Sequence, residues 1–236
     1  MTFRQPEPAL RSPQGGELVN ACSAAAADVR EAPRALRLAK AAFDPNETGR
    51  NGLTALMMAA FAGNAELMHA LLDAGANPLA HTTDGQSIFY FAMRESAVRR
   101  ASGALTSAQT LRLLLDRCGD VLRAKTVCFM GPFAGGAVPI NKPDGDGYTP
   151  LGRAADLGDA ESCRVLLGAG ANPKALSPVS CKPAAAMAKG AAVAVFRALA
   201  PQTDAEVARQ RAQAETEARA LAQRIGMPWP TDGQYV

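Results

Sequence analysis

Histidine is nearly absent from this chain: His69 and His81 are the only two among 236 residues. A nucleophilic triad needs a base held beside its nucleophile, and neither histidine has a serine or cysteine partner that spacing can assign. Both are read as surface residues, so no catalytic residue is predicted. Cysteine is scarce in pattern rather than in number. Cys22, Cys118, Cys128, Cys163 and Cys181 are odd in count, widely spread and free of any C-x-x-C pair. That arrangement argues against a zinc site or a disulfide framework and fits reduced thiols in a cytoplasmic protein. Cys128 is a candidate loop thiol, but nothing near it in sequence argues for a depressed pKa.

Long apolar runs are missing too. No stretch of about 18 apolar residues occurs, so no membrane-spanning helix is expected, and the opening MTFRQPEPALRSPQGGE lacks the apolar core of a secretory signal. Net charge is only +3, with no block of like charge. Phosphate tracking needs a basic stripe, so nucleic acid is not expected as a partner. The glycine-rich run Gly131-Pro132-Phe133-Ala134-Gly135-Gly136 is not followed by G-K-[ST] and makes a poor phosphate cradle. Asp144, Asp146, Asp156 and Asp159 read as solvated turn and capping acids rather than a cation site. No metal and no cofactor is predicted.

Aromatics are 5% of the chain while alanine is abundant, as closely packed short helices would have it. The order behind this composition is an internal repeat. Residues 51–81 read NGLTALMMAAFAGNAELMHALLDAGANPLAH, and residues 146–175 read DGYTPLGRAADLGDAESCRVLLGAGANPKA. Thr54 matches Thr149 and Asn77 matches Asn172, both at a spacing of 95. Each copy holds two apolar helical patterns divided by Gly-(Asn/Asp), with Thr54 placed to cap the first helix. Leu56, Ala59 and Ala60 form the inner face of that helix, and Leu67, Leu71 and Leu72 the buried stripe of the second.

The shared pattern, Gly-x-Thr-(Ala/Pro)-Leu, Ala-Ala, Gly-(Asn/Asp)-Ala-Glu, Leu-Leu and Gly-Ala-Asn-Pro, resembles the ankyrin repeat. The family's histidine is replaced by Met57 and Gly152. The resemblance implies an all-α solenoid of stacked helix–turn–helix units of about 33 residues, each needing its neighbours to bury its apolar face. Residues 1–16 are expected to be disordered or draped, and 17–200 to form the array. Within it, 17–49 is a degenerate cap with a helix break near Glu31-Ala32-Pro33 and a second-helix stripe of Leu36, Leu38 and Ala39. Full units follow at 50–82, 83–145 and 146–178, and a degraded closing unit at 179–200. Residues 201–236 read as a C-terminal capping helix and tail, opening on the capping-box pattern Thr203-Asp204-Ala205-Glu206. The spacing of 95 exceeds two units by 29 residues. About ten fall around Val98–Thr106 and 19 in a finger loop within Val121–Asp144. Loops of that length inside a compact domain are usually functional or disordered.

In ankyrin proteins partners usually bind the concave face of turns and first helices. That resemblance implies contact residues Arg50, Asn51, Leu53 and Phe61 in one unit, and Thr83, Asp84, Gln86, Tyr90 and Arg94 in the next. Asp146, Tyr148, Arg153 and Asp156 continue the face, with Lys189 from the closing unit and Phe129, Met130 and Phe133 from the finger loop. The function expected is a non-enzymatic protein–protein interaction module, monomeric without its partner and bacterial in character. Its partner is read as a protein, for instance a cognate toxin neutralised by an immunity protein, or an enzyme inhibited by capture. A host-directed effector, a scaffold assembling through the C-terminal helix, and an enzyme accessory using the 121–144 insertion are the alternatives.

Overall fold

The computed structural model describes residues 16–41, 44–94, 104–124, 138–178 and 182–199. The chain divides into two compact units, Met1–Val193 and Ala194–Val236. Of the second unit only 194–199 are described, and they are helical. The C-terminal helix and tail expected over 201–236, and the N-terminal stretch 1–15, lie outside the described residues.

The first unit is built from helices, with no strand among the described residues. They are α1 Glu17–Ala27, α2 Ala32–Lys40, α3 Ala55–Ala62, α4 Ala65–Asp73, α5 Ile88–Met93, α6 Ser107–Arg123, α7 Pro150–Asp156, α8 Ala160–Gly168 and α9 Ala184–Met187. They pack in two rows. The first helices of the units, α1, α3, α5, α7 and α9, each pack on the next in that order, while α2, α4, α6 and α8 form the second row. Both rows follow from the sequence, because alternate helices carry small or aliphatic residues on the sides that face neighbours. Leu56, Ala59, Ala60, Phe89, Ala92, Leu151, Ala154 and Ala155 are all buried.

The helices of the two repeat copies start by one local rule. Thr54 Oγ1 accepts from the Met57 N–H at 3.3 Å, and Thr149 Oγ1 from the Gly152 N–H at 3.0 Å. Asn64 Oδ1 and Asp159 Oδ1 do the same for α4 and α8, each at 3.0 Å. Each cap satisfies a helix donor that has no partner inside the helix, an effect of about 1 kcal/mol. Gly63 ends α3 in the left-handed conformation at φ 64°, the usual glycine solution at a helix C-terminus.

Several expectations need correction. The break in the first unit comes at Asp28, whose extended backbone ends α1 and whose carboxylate accepts from the Arg30 N–H at 2.9 Å to start a 3₁₀ turn. Pro33 does sit in the first turn of α2. There, however, Ala35 and Ala39 are the buried residues, and Leu36 and Leu38 are only half-buried. Helix α2 packs on both α1 and α4, and small side chains allow that close approach. In α4 the buried set is Leu67, Met68 and Leu71. Leu72 stands about 100° further round the helix and is half-buried, as is Leu167 at the matching place in α8.

The insertion boundaries also move. Thr106 is the N-cap of α6, in a reciprocal capping box with Gln109. Val121, Leu122 and Arg123 form the last turn of α6 rather than a loop, and Leu122 is buried. The repeat resumes before Asp144. Asn46 Oδ1 accepts from the Asn77 N–H at 2.7 Å, and Asn141 Oδ1 accepts from the Asn172 N–H at the same distance. Asn46 and Asn141 are again 95 apart, and Ile140 beside the second is buried. In the closing unit α9 is a single turn, and Pro183 before it provides no side-chain cap.

Candidate partner-binding face

The turns that precede the first helices are joined to one another. Asn51 adopts φ 59°, and its carbonyl accepts from the Thr83 N–H at 2.9 Å. The Thr83 hydroxyl donates to the same oxygen at 3.3 Å. The next turn approaches so closely that a Cβ on Gly145 would lie 1.6 Å from the Asp84 carbonyl oxygen. Ser177 Oγ then donates to the Gly147 carbonyl. Four successive turns are therefore stacked, including the pair interrupted by the insertion.

Beside the third and fourth turns lies a cluster centred on Arg153. Asp144 Oδ1 accepts from the N–H groups of Asp146 and Tyr148 at 3.1 and 2.9 Å, which closes the turn. Its Oδ2 accepts from Arg153 Nε at 2.6 Å, and Asp146 Oδ2 accepts from Arg153 Nη2 at 2.7 Å. The Arg153 guanidinium also lies 4.7 Å from the Tyr90 ring centre and 4.8 Å from that of Tyr148, within cation–π range. Burial opposes the charge on Arg153, but the hydrogen bonds and negative charges of Asp144 and Asp146 outweigh it and raise its pKa. Arg94 donates to the Tyr90 hydroxyl and lies 5.2 Å from the same ring. Further along, Lys189 pairs with Asp156 at 2.7 Å. The hydrogen bond from Asp156 raises the Lys189 pKa, its charge adds to that, and Tyr148 contributes a smaller electrostatic effect of the same sign.

These positions can be compared with the expected contact residues. Arg50, Asn51, Thr83, Asp84, Arg94, Asp146 and Lys189 are exposed, while Leu53, Phe61, Gln86, Tyr90, Tyr148, Arg153 and Asp156 are half-buried. The structure brings Tyr90, Arg94, Asp146, Tyr148 and Arg153 together, with Asp156 and Lys189 as a separate pair. Arg50, Leu53 and Phe61 make no ion pair or ring contact with that cluster among the described residues. Phe129, Met130 and Phe133, together with Cys128 and the glycine-rich run, lie outside the described residues. Gln86 Oε1 is buried without a hydrogen-bond partner.

Asp144 is the residue that sequence reasoning missed. It was expected to be a solvated turn acid, yet its side chain is only 5% exposed. Asp156 likewise is an ion-pair partner rather than a free solvated acid. The opposite row of second helices carries its own ion pairs, Arg117 with Asp73 and Arg112 with Glu161. A cleft of about 340 Å³ lies beside the second of these, between α6 and α8. On α4, exposed His69 has its Nδ1 3.0 Å from Arg117 Nη1.

The two segments found by internal comparison, residues 51–83 and 146–177, both match the family model described as Ankyrin repeat. The chain carries ankyrin repeats. The matched spans coincide with the two pairs α3–α4 and α7–α8 and the turns before them. No curated protein matches the chain. Ankyrin arrays serve in general as protein-binding modules, and the Arg153 cluster lies on the side of this array formed by turns and first helices. No helix among the described residues is long and apolar enough to cross a membrane.

Proposed function

We propose that this ankyrin array is a non-enzymatic module that grips a protein partner on the face made by its turns and first helices. The observation that carries this reading is the Arg153 cluster, in which one arginine is ion-paired to two aspartates and lies against two tyrosine rings. Arginine and tyrosine dominate interface hot spots, and side chains already held by neighbours lose less entropy on binding. The family's usual non-enzymatic role supports the same reading. In its finer form, the chain is a cytoplasmic bacterial protein, monomeric alone, that blocks a toxin or enzyme by stoichiometric capture.

Co-purification from the native host followed by mass spectrometry tests this. Wild-type chain and a variant altered on the opposite row, Arg112→Ala with Arg164→Ala, should retain one stoichiometric protein. Tyr90→Ala with Tyr148→Ala should lose it. Equal capture by all three, or no captured protein, sinks the proposal. Adding the chain to the captured protein should then inhibit whatever activity that protein has.

A further inference from the structure

Arg153 is satisfied along one edge only. Its Nε and one Nη2 hydrogen go to Asp144 and Asp146. A guanidinium has five N–H bonds in one plane, so both hydrogens on Nη1 and one on Nη2 have no acceptor among the described residues. Nη1 is not a buried atom, and the side chain as a whole is 15% exposed. Nη1 is therefore open to solvent on a side chain held by two ion pairs and two aromatic rings.

Local charge decides what acceptor suits them. Arg153 carries one positive charge against the two carboxylates of Asp144 and Asp146, while Lys189 and Asp156 neutralise each other. Arg94 is exposed, so solvent and salt weaken its charge. A third carboxylate arriving at Arg153 would meet surplus negative charge, whereas a neutral carbonyl would not. Asp146 adds a complementary feature. Its Oδ2 is bonded to Arg153, its Oδ1 accepts no hydrogen bond among the described residues, and its side chain is 50% exposed. Arg153 thus offers open N–H groups and Asp146, bonded to the same guanidinium, an open carboxylate oxygen, the two functions that complement an amide. We propose that Arg153 and Asp146 together read an amide group of the partner, its C=O on Arg153 and its N–H on Asp146. The amide belongs either to an extended main chain or to an Asn or Gln side chain. This rests on the reading of the face as a partner site and names the chemistry it selects.

The test follows the Arg153 Nε–H and the Tyr90 and Tyr148 ring signals of the full chain by NMR. Four probes are titrated separately: acetyl-alanine methylamide, propionamide, propionate and ethylammonium. Both amides should shift these signals saturably, with propionate weaker by about tenfold or more because of like-charge juxtaposition. A stronger response to acetyl-alanine methylamide assigns the source to main chain, and a stronger response to propionamide assigns it to an Asn or Gln side chain. Asp146→Asn removes the surplus charge and should raise propionate binding several-fold while weakening both amides. Arg153→Lys, which keeps the charge but loses the fork, should abolish the amide response even where Arg153→Met fails to fold. Propionate binding as tight as the amides, ethylammonium as the tightest probe, or no response to either amide overturns the proposal. Because no partner is used, those failures leave the interaction reading intact. That reading falls only on the capture experiment.

Discussion

The carbonyl oxygen of Asp84 occupies the space a side chain on Gly145 would need, 1.6 Å from the position of its first carbon. This contact joins the turn before α5 to the turn before α7 across the insertion. Gly145→Ala must push two backbones apart, and overpacking of this kind destabilises by about 1–3 kcal/mol or more. Gly168 gives the control, since a Cβ there meets nothing within 4 Å. Gly168→Ala, at the end of α8, should be neutral or stabilising by about 0.5–1 kcal/mol. Urea unfolding of the two variants beside wild type checks both, and equal stabilities would refute the assigned contact.

The two aspartates on Arg153 should behave differently. Asp144 is 5% exposed, holds two backbone N–H groups and pairs with a half-buried arginine. Asp144→Ala strands all three donors and should destabilise by about 2–4 kcal/mol. Asp146 is 50% exposed, and Asp146→Ala should change stability by less than about 1 kcal/mol. Denaturant midpoints for the pair decide the matter.

His81 offers a pH signature. Burial lowers its pKa below the usual 6.5, Lys142 lowers it further, and a backbone hydrogen bond with Leu79 partly opposes them. The unfolded chain therefore binds a proton at this site more readily than the folded chain. Linkage gives the sign: this contribution to stability is whole above pH 6.5 and is lost as pH falls through the lower, folded value. Proton NMR should show His81 titrating below 6.5 in wild type and nearer to it in Lys142→Ala.

Thiol chemistry reads out the core. Burial pushes Cys22 up to about 12, and burial together with the Asp159 charge does the same for Cys163. At pH 8 a thiol of that pKa is ionised on the order of 10⁻⁴ of the time, and the thiolate is the reactive form. Cys118 is less deeply placed, with Arg117 working against the upward push of burial. Alkylation followed by peptide mass mapping should modify Cys118 ahead of Cys22 and Cys163 in the folded protein, and all three together in urea.

The stacked units were legible in the sequence because their punctuation is local chemistry. Thr54 and Thr149 cap the helices that follow them, and Gly63 ends one, each through contacts within a few residues. Legibility failed where the deciding partner is distant in sequence. The asparagine clasp from Asn46 to Asn77 spans 31 residues, so nothing local marks Asn141 as the point where the repeat resumes. Asp144 looks like any turn acid until Arg153, nine positions on, folds over it. Charge reading by blocks also missed a pattern. Arg34, Arg37 and Lys40 lie three apart, so the helical period gathers them on the exposed side of α2. The partner face was expected from family resemblance, but its cohesion around Arg153 comes from contacts between two separate units.

The seating of Gly145 on Asp84 and the packing of α6 on α8 have a consequence for how the chain tolerates being cut. The described surfaces that hold α5 to α7 lie in the turns and helices on either side of residues 125–137. A chain divided there would leave every one of these contacts between the two pieces, and co-purification of the pieces checks whether they suffice. The point at which the repeat loses count is thus the place where a split asks whether stacking alone holds the array together.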